Sequence, residues 1–318
     1  MKSNDYFGTT IDCPCGKRHV IAPDEFIYSD DAVEQLPVVS RRVVGDKPLR
    51  ACVLMDIRTQ PVAADAVAAA LEADGWEARR VVIPDPAPGR RAVCDVAARD
   101  YILGRAEGTE LFVPVGSGVL SDLAKWAART HPARIVTFAT AASMNGYSSA
   151  NIAPTIGGVK SLVYGDPVDA VVASPQILAD APYEMTAAGL GDVLAKSISS
   201  ADWYLNHLLF GDYYCHRAVE LIAEIEPLYL DNPQDVRDRK PQVLAGLFDA
   251  LLLTGVAMTM AGTSAPASGG EHLISHALDM LSALEDAEGD LHGRQVGVGT
   301  ILTAELYRRV LAVESPAL

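Results

Sequence analysis

Short apolar runs alternate with helical patterns through residues 51–138. The runs typical of buried strands are residues 51–55, 78–83, 110–115 and 134–138. The stretches with helical periodicity are about 62–73, 91–105 and 119–129. This alternation of strand and helix predicts a parallel sheet with right-handed crossovers. Because parallel sheets of this kind bind ligands at the carboxyl ends of their strands, we expect a binding site there.

The pattern changes to long helices after Ser174-Pro175. We expect helices at about 183–210, 213–226, 233–261, 270–287 and 293–313. A short hairpin at 157–164 and a strand at 169–173 are predicted before them, and residues 1–50 are predicted to be irregular. The chain is therefore expected to form two domains. These are an α/β domain over residues 1–175 and an all-α domain over 176–318, with the site in the cleft between them.

The composition is typical of an ordered globular protein. Of the 318 residues, 49% are hydrophobic and 21% are charged, and the formal net charge is −15. Such a charge disfavours binding to nucleic acid, although a local pocket can still accept a small anion. The N-terminus lacks an apolar signal core, and the longest apolar run, 247–262, is too short to span a bilayer. We expect a cytoplasmic enzyme that is not inserted in a membrane.

The five cysteines are scattered along the chain, in an odd number and without the spacing of a disulfide scaffold. Reduced thiols in a cytoplasmic protein are the simplest explanation. Cys13, Cys15 and His19 could belong to a zinc knuckle, but a fourth ligand is missing nearby and C-x-C is a weak signal. A structural or incidental loop is therefore the favoured interpretation of this segment.

Three histidines and an aspartate are the candidate metal ligands and catalytic groups. His272 and His276 are four residues apart and lie on one face of a predicted helix, and His292 follows a short acidic connection. Asp192 supplies a carboxylate on an earlier helix. One Asp and two or three His without a nearby Cys indicate an open catalytic metal site. Glu271 is expected to point elsewhere, since this is not the H-E-x-x-H arrangement.

Glycine and hydroxyl residues follow the predicted strands. Gly116-Ser117-Gly118 joins a strand to a helix, where backbone N–H groups can approach a pyrophosphate, although tight-turn glycines occur as often without a ligand. Asp56 could accept hydrogen bonds from a ribose or could be a turn residue. Thr140 and Ser143 lie in a segment of small residues that could admit a nicotinamide or form a tight loop.

Taken together, these motifs resemble the sn-glycerol-1-phosphate dehydrogenases, especially the AraM-like branch. The matching segments occur in family order: Gly116-Ser117-Gly118-x-x-x-Asp122, Thr140-Ala141-Ala142-Ser143, Gly189-x-Gly191-Asp192, Ser268-Gly269-x-Glu271-His272-x-x-x-His276 and Leu291-His292-Gly293. These enzymes belong to the iron-containing alcohol dehydrogenase and dehydroquinate synthase-like superfamily. The resemblance implies an N-terminal Rossmann-like parallel-sheet domain that binds the dinucleotide and an all-α, C-terminally shortened domain that binds metal and substrate.

The family reaction is the reduction of dihydroxyacetone phosphate with NADH or NADPH and a divalent ion such as zinc, nickel or iron. The resemblance assigns these residues to the dinucleotide: Asp56, Gly116, Ser117, Gly118, Asp122, Thr140, Ser143 and Ser149. It assigns Asp192, His272 and His292 to the metal. Asp192 and His276 are the expected catalytic residues and, with Asn145, the expected substrate contacts. A small anionic carbonyl compound is the expected substrate, and a homodimer is possible.

Two side chains depart from the family pattern on the expected substrate side. Asn145 replaces an aspartate that contacts the substrate in the family, and Ala265 stands where relatives of this branch have an arginine. The motifs for cofactor and metal are kept. We therefore expect a metal-dependent NAD(P)H-linked reductase of a small phosphorylated or otherwise anionic ketone or aldehyde. The alternatives are a dehydroquinate synthase-like cyclase that uses NAD catalytically and a non-catalytic descendant.

Overall fold

The computed structural model describes residues 1–285 and 287–313. The strands are β1 (Thr10–Asp12), β2 (Arg18–Val20), β3 (Glu25–Tyr28), β4 (Arg50–Met55), β5 (Glu77–Val82), β6 (Leu111–Gly116), β7 (Arg134–Ala139), β8 (Asn151–Ile152), β9 (Thr155–Ile156), β10 (Val159–Lys160), β11 (Val163–Tyr164) and β12 (Ala170–Ala173). The helices of the first half are α1 (Ala32–Val44), α2 (Asp65–Ala73), α3 (Val96–Leu103) and α4 (Gly118–Ala128).

The second half is helical throughout its described part. Its helices are α5 (Pro175–Asp180), α6 (Tyr183–Leu194), α7 (Lys196–Phe210), α8 (His216–Glu220), α9 (Glu226–Leu230), α10 (Pro233–Arg237), α11 (Pro241–Ala261), α12 (Gly270–Leu284) and α13 (His292–Leu311). Residue 286 in the predicted helix 270–287, and residues 314–318 at the end of the predicted second domain, lie outside the described residues.

Six strands form a parallel sheet in the order β3-β12-β7-β6-β4-β5. Alternate residues of each strand face opposite sides because side chains in a strand repeat every two residues. In β4, Val53 and Met55 pack with the apolar faces of α1 and α2. Cys52 and Leu54 belong to the core on the other side, which includes residues of α3, α4 and α11. The parallel sheet and the helical second half confirm the predicted fold class.

The N-terminal 50 residues are ordered, so the prediction that they are irregular was wrong. The segment β3 pairs in parallel with β12, which follows it by more than a hundred residues in the sequence. Helix α1 packs its buried residues Leu36 and Val39 on the sheet. Short strands have no distinctive local periodicity, and the partner that orders β3 is remote in the sequence. The preceding strands β1 and β2 form a separate antiparallel hairpin.

Several predicted helices and one hairpin have different bounds in the structure. The predicted helix 183–210 is two helices that meet at Ala195, and 213–226 contains only α8 and the start of α9. The predicted helix 233–261 is interrupted at Arg239, which has a positive φ, before Pro241 begins α11. Helix α3 begins later than predicted because Asp95 caps it by accepting the Ala98 N–H. The hairpin spans β8 to β11 rather than 157–164.

Helix α11 is the central helix of the second half. It is long and apolar enough to cross a membrane by length and composition alone, but 89% of its most apolar window is buried inside the protein. Its charged residue Asp249 is also buried and accepts the backbone N–H groups of Lys2 and Ser3. This combination is typical of a core helix, and the pairing satisfies a buried carboxylate that would otherwise be costly.

Candidate active site

Three side chains with metal-binding atoms converge from three helices. Asp192 lies near the end of α6, His272 in the first turn of α12, and His292 at the start of α13. One ligand atom from each lies within 4.8 Å of the others. The His272 Nε2 atom is 3.6 Å from Asp192 Oδ1, and the rings of His272 and His292 are 5.1 Å apart. The structure therefore brings together the three residues predicted to bind metal.

Close packing of α6 against α13 places Asp192 beside His292. At Gly191 a β-carbon would overlap the carbonyl oxygen of Gly293, and at Gly293 it would overlap the carbonyl oxygen of Ala188. Glycine at these positions lets the two backbones approach directly. The glycines of the Gly189-x-Gly191-Asp192 and His292-Gly293 motifs thus have a packing role next to the candidate ligands.

Glu271 orients His272, so the prediction that Glu271 points elsewhere was wrong. Its buried carboxylate is 2.8 Å from His272 Nδ1 and also accepts the Gly269 N–H at 2.7 Å. An acceptor at Nδ1 places the ring proton there and leaves Nε2 directed at Asp192. The sequence contained no clear signal for this contact, because adjacent residues in a regular helix do not face each other.

Ser275 has the corresponding role for His292. Its hydroxyl donates to Gln295 Oε1 at 2.9 Å and lies 3.2 Å from His292 Nδ1. A hydroxyl that donates its proton to an amide oxygen can accept the Nδ1 proton of the imidazole. The Nε2 atom of His292 is then left free, which is the arrangement that a metal-binding histidine requires.

Burial and charge shift the pKa values of the histidines in opposite directions. Burial lowers the pKa of His272, but the nearby carboxylates of Asp192 and Glu271 outweigh it and raise the value to about 9. Burial and the positive charge of His272 lower the pKa of His292 to about 3. The pKa of His276 is lowered by burial and by the positive charges of His272 and Lys160. In the site as described, His272 therefore favours the protonated form, and His276 and His292 favour the neutral form.

The donor set fits a divalent cation. Among the described residues, the buried Oδ1 atom of Asp192 has no hydrogen-bond partner, although it points toward His272 Nε2. Unpaired buried carboxylate oxygens are costly unless they bind a cation. One carboxylate and two imidazoles would form a three-ligand set of the kind found in catalytic metal sites, and this set suits zinc, nickel or iron.

The predicted substrate contacts lie beside this cluster. The Asn145 backbone N–H donates to Asp192 Oδ2 at 2.8 Å. Its buried side-chain Nδ2 has no hydrogen-bond partner within residues 1–285 and 287–313. The His276 ring is 6.3 Å from that of His272 and 6.0 Å from that of His292. Asn145 and His276 therefore border the space next to the metal-binding atoms.

The residues predicted to bind dinucleotide lie at the carboxyl ends of neighbouring strands. Gly116 ends β6, and its carbonyl accepts the N–H of Thr140, which follows β7. The hydroxyls of Ser117 and Ser143 contact each other across this gap. Asp56 follows β4 and accepts the N–H groups of Arg58 and Thr59. Their position agrees with the expected binding edge, and their contacts with a dinucleotide remain a prediction.

Three of these residues already have partners. Asp56 is ion-paired with Arg58, which also contacts Asp85. Asp122 is 2.9 Å from the buried amino group of Lys125 and accepts the Ala153 N–H. Ser149 accepts the Asn151 N–H.

These contacts hold the loops next to the expected cofactor site. Lys125 adds to them by donating to the carbonyl oxygens of Gly146 and Asn151. A buried ammonium with several acceptors fixes the segments that it joins.

Lys160 is a further charged residue of the site that sequence reasoning missed. It lies at the end of β10, near α12, and its positive charge contributes to the lowered pKa values of His276 and His292. No local signal marked it, because the hairpin of β9 and β10 is placed against α12 only by the tertiary fold. Lys160 thus places a positive charge near His276 and His292 in a protein whose formal net charge is −15.

Comparison with known proteins supports the same assignment. Residues 28–182 match the sequence model of the iron-containing alcohol dehydrogenases. A glycerol-1-phosphate dehydrogenase [NAD(P)+] of Bacillus licheniformis is 30% identical over 301 residues, which cover 94% of this chain and 74% of that protein. The enzyme of the same name from Pyrococcus furiosus is 31% identical over 285 residues. The aligned region covers 90% of this chain and 79% of that protein.

Solved structures agree on the fold. A probable glycerol dehydrogenase from Sinorhizobium meliloti 1021 superposes with a TM-score of 0.72 at 22% identity, covering 90% of this chain and 77% of that chain. The sequence relatives confirm the family resemblance that the motifs indicated. The chain therefore belongs to the iron-containing alcohol dehydrogenase family, within its glycerol-1-phosphate dehydrogenase branch, and is an NAD(P)-dependent oxidoreductase.

Proposed function

We propose that this enzyme reduces dihydroxyacetone phosphate, or a closely related small anionic ketone or aldehyde, in a metal-dependent reaction in the cytoplasm. In the balanced reaction the carbonyl carbon receives a hydride from NADH or NADPH and the carbonyl oxygen receives a proton. The products are sn-glycerol 1-phosphate and NAD+ or NADP+. The observation that carries the proposal is the convergence of Asp192, His272 and His292 around an unpaired carboxylate oxygen.

Asp192, His272 and His292 would hold the divalent ion. When bound, the ion would supply Lewis acidity that polarises the substrate carbonyl. Glu271 and Ser275 keep the two imidazoles in the tautomers that direct Nε2 toward the site. This arrangement is set by the protein before substrate binds, which is the condition for electrostatic catalysis.

His276 and Asn145, which lie beside the three metal ligands, would act on the substrate. The lowered pKa of His276 favours its neutral form, whose ring can accept a proton from water at one nitrogen and pass the proton of the other nitrogen toward the substrate oxygen. The free Nδ2 group of Asn145 can donate a hydrogen bond to a substrate oxygen, whereas the aspartate of the family pattern would accept one. An amide at this position therefore favours a substrate with an acceptor oxygen there.

The first test is NADH and NADPH oxidation with dihydroxyacetone phosphate. Protein stripped of metal should be inactive, and reloading with zinc, nickel or iron(II) should restore turnover, because polarisation of the carbonyl needs the ion. Each cofactor and each ion is measured separately. Turnover that is unchanged after complete metal removal would contradict the proposal. Phosphate release without net NADH consumption would instead support the cyclase of the dehydroquinate synthase type.

Lys160 is proposed to bind the anionic group of the substrate. Lys160→Met should raise the KM for dihydroxyacetone phosphate by about 10- to 100-fold, since a hydrogen bond to a charged group contributes about 1.5–3 kcal/mol. The KM for uncharged dihydroxyacetone should change little.

The matched control is Lys240→Met, which removes a lysine that is ion-paired with Asp235 on the surface. An equal loss with the charged and uncharged substrates in Lys160→Met would contradict an anion-binding role for this residue.

A further inference from the structure

Four side chains from two segments that are far apart in the sequence form a second cluster of metal-binding atoms. Cys13 and Cys15 lie in the turn of the β1–β2 hairpin, His19 lies in β2, and Cys215 immediately precedes α8. One ligand atom from each residue lies within 4.8 Å of all the others. We call these four residues the Cys3His cluster. It supplies the fourth ligand that the local sequence around Cys13 lacks.

The distances within the Cys3His cluster agree with a tetrahedral zinc site. Zinc bonds of about 2.3 Å to sulfur and about 2.0–2.1 Å to nitrogen imply ligand separations of about 3.8 Å between sulfurs and about 3.5 Å between sulfur and nitrogen. The Sγ atoms of Cys13 and Cys215 are 3.7 Å apart. The His19 Nε2 atom is 3.3 Å from Cys15 Sγ and 3.9 Å from Cys215 Sγ.

The surroundings of the cluster suit a closed structural site. His19 and Cys215 are buried, and Cys13 and Cys15 are partly exposed. The Tyr213 hydroxyl lies 3.1 Å from Cys15 Sγ, where it can donate to a thiolate, and the Lys17 amino group lies over the Tyr213 ring. Three thiolates and one neutral imidazole around a divalent cation leave one net negative charge. A donor hydroxyl and a nearby cation stabilise such a charge.

The hairpin that carries three of the ligands lies outside the six-stranded sheet. Strands β1 and β2 pair only with each other among the described strands, and an isolated two-stranded hairpin is marginally stable. The turn brings its ligands together through backbone hydrogen bonds from Cys13 N–H to the Lys17 carbonyl and from Gly16 N–H to the Cys13 carbonyl. A metal ion shared by this turn and Cys215 would fasten the hairpin to the helical half of the protein.

We propose that Cys13, Cys15, His19 and Cys215 bind a structural zinc ion, separate from the active-site cluster. Four protein ligands leave no open coordination position, so the ion has no catalytic role and anchors the hairpin to the segment before α8. Sulfur-rich tetrahedral sites select zinc over the oxygen-preferring cations. The proposal does not depend on the substrate of the enzyme.

The metal content of purified full-length chains tests this proposal. With one ion at each cluster, the wild-type protein should contain two divalent metal ions per chain by elemental mass spectrometry, and the ion of the Cys3His cluster should be zinc. His272→Ala should lose the active-site ion and keep the zinc of the Cys3His cluster, Cys215→Ser should lose that zinc and keep the active-site ion, and the double variant should retain neither. Cys94→Ala removes a buried cysteine outside the Cys3His cluster and should keep both.

Cobalt substitution distinguishes the two sites and does not require Cys215→Ser to fold. The His272→Ala protein loaded with Co²⁺ should show intense sulfur-to-cobalt charge-transfer absorption, because only the Cys3His cluster has thiolate ligands. Absence of that absorption and of zinc from His272→Ala would overturn the proposal. Mass spectrometry that finds a Cys13–Cys215 disulfide in the native protein would overturn it as well. A protein that keeps zinc in the Cys3His cluster but does not reduce dihydroxyacetone phosphate would contradict the proposed function and support the structural zinc site.

Discussion

His272→Ala is expected to lose the active-site ion and to reduce turnover by about a thousandfold or more. His272 lies between Asp192 and Glu271, so its removal takes away one of three ligands and leaves two buried carboxylates facing a cavity. Polarisation of a carbonyl by a metal contributes several kcal/mol to the stabilisation of the transition state, and about 1.4 kcal/mol corresponds to a factor of ten in rate. Metal content and steady-state turnover are to be measured on the same preparation.

The matched control is His207→Ala. His207 is exposed on α7 and contacts the backbone carbonyl of Asp212, so its loss should leave both active-site metal and turnover unchanged. Circular dichroism of each variant separates loss of the ion from loss of the fold. Normal turnover in a His272→Ala protein that holds no active-site metal would contradict the assignment of His272 as a metal ligand.

Gly191→Ala is expected to lower the free energy of unfolding by about 3 kcal/mol or more. A methyl group at this position overlaps the carbonyl oxygen of Gly293, which is backbone and cannot rotate away. Overpacking in a well-packed core costs about 1–3 kcal/mol, and contact with rigid backbone places this case at the upper end. Helices α6 and α13 must separate, so metal affinity should fall together with stability.

Gly104→Ala is the matched control for this variant. Gly104 is exposed at the end of α3 with a φ of −64°, and the nearest atom to a new β-carbon is at an ordinary 3.5 Å. Denaturant unfolding of both variants, with and without added zinc, gives the comparison. Wild-type stability and metal binding in Gly191→Ala would show that the close approach of α6 and α13 is not required.

Much of the fold was predictable because the sheet is buried on both faces. Strands β4, β6 and β7 are mainly apolar and almost entirely buried, and the helices between them have clear periodicity, so both were visible locally. The elements that were missed are short or interrupted. The strand β3 has four residues and depends on β12, and the break before Pro241 depends on the positive φ of Arg239.

The metal-ligand residues of the candidate site were predictable from the sequence, but the contacts that orient them were not. The types and order of Asp192, His272 and His292 identified a ligand set, because the chemistry of a metal ligand belongs to the residue type. Their convergence at one point was implied by the family resemblance and is present in the structure. The hydrogen bond of Glu271 to His272 was mispredicted, because it depends on how the first turn of α12 is packed.

The sequence by itself determined which groups are available for chemistry and which local segments form strands and helices. These properties depend on residue type and on spacing over a few residues. The tertiary structure alone decided that Cys215 lies next to Cys13 and that β10, with Lys160, packs against α12, where the charge of Lys160 lowers the pKa of His276. Contacts between residues far apart in the sequence depend on how whole elements pack, and no local pattern encodes that packing.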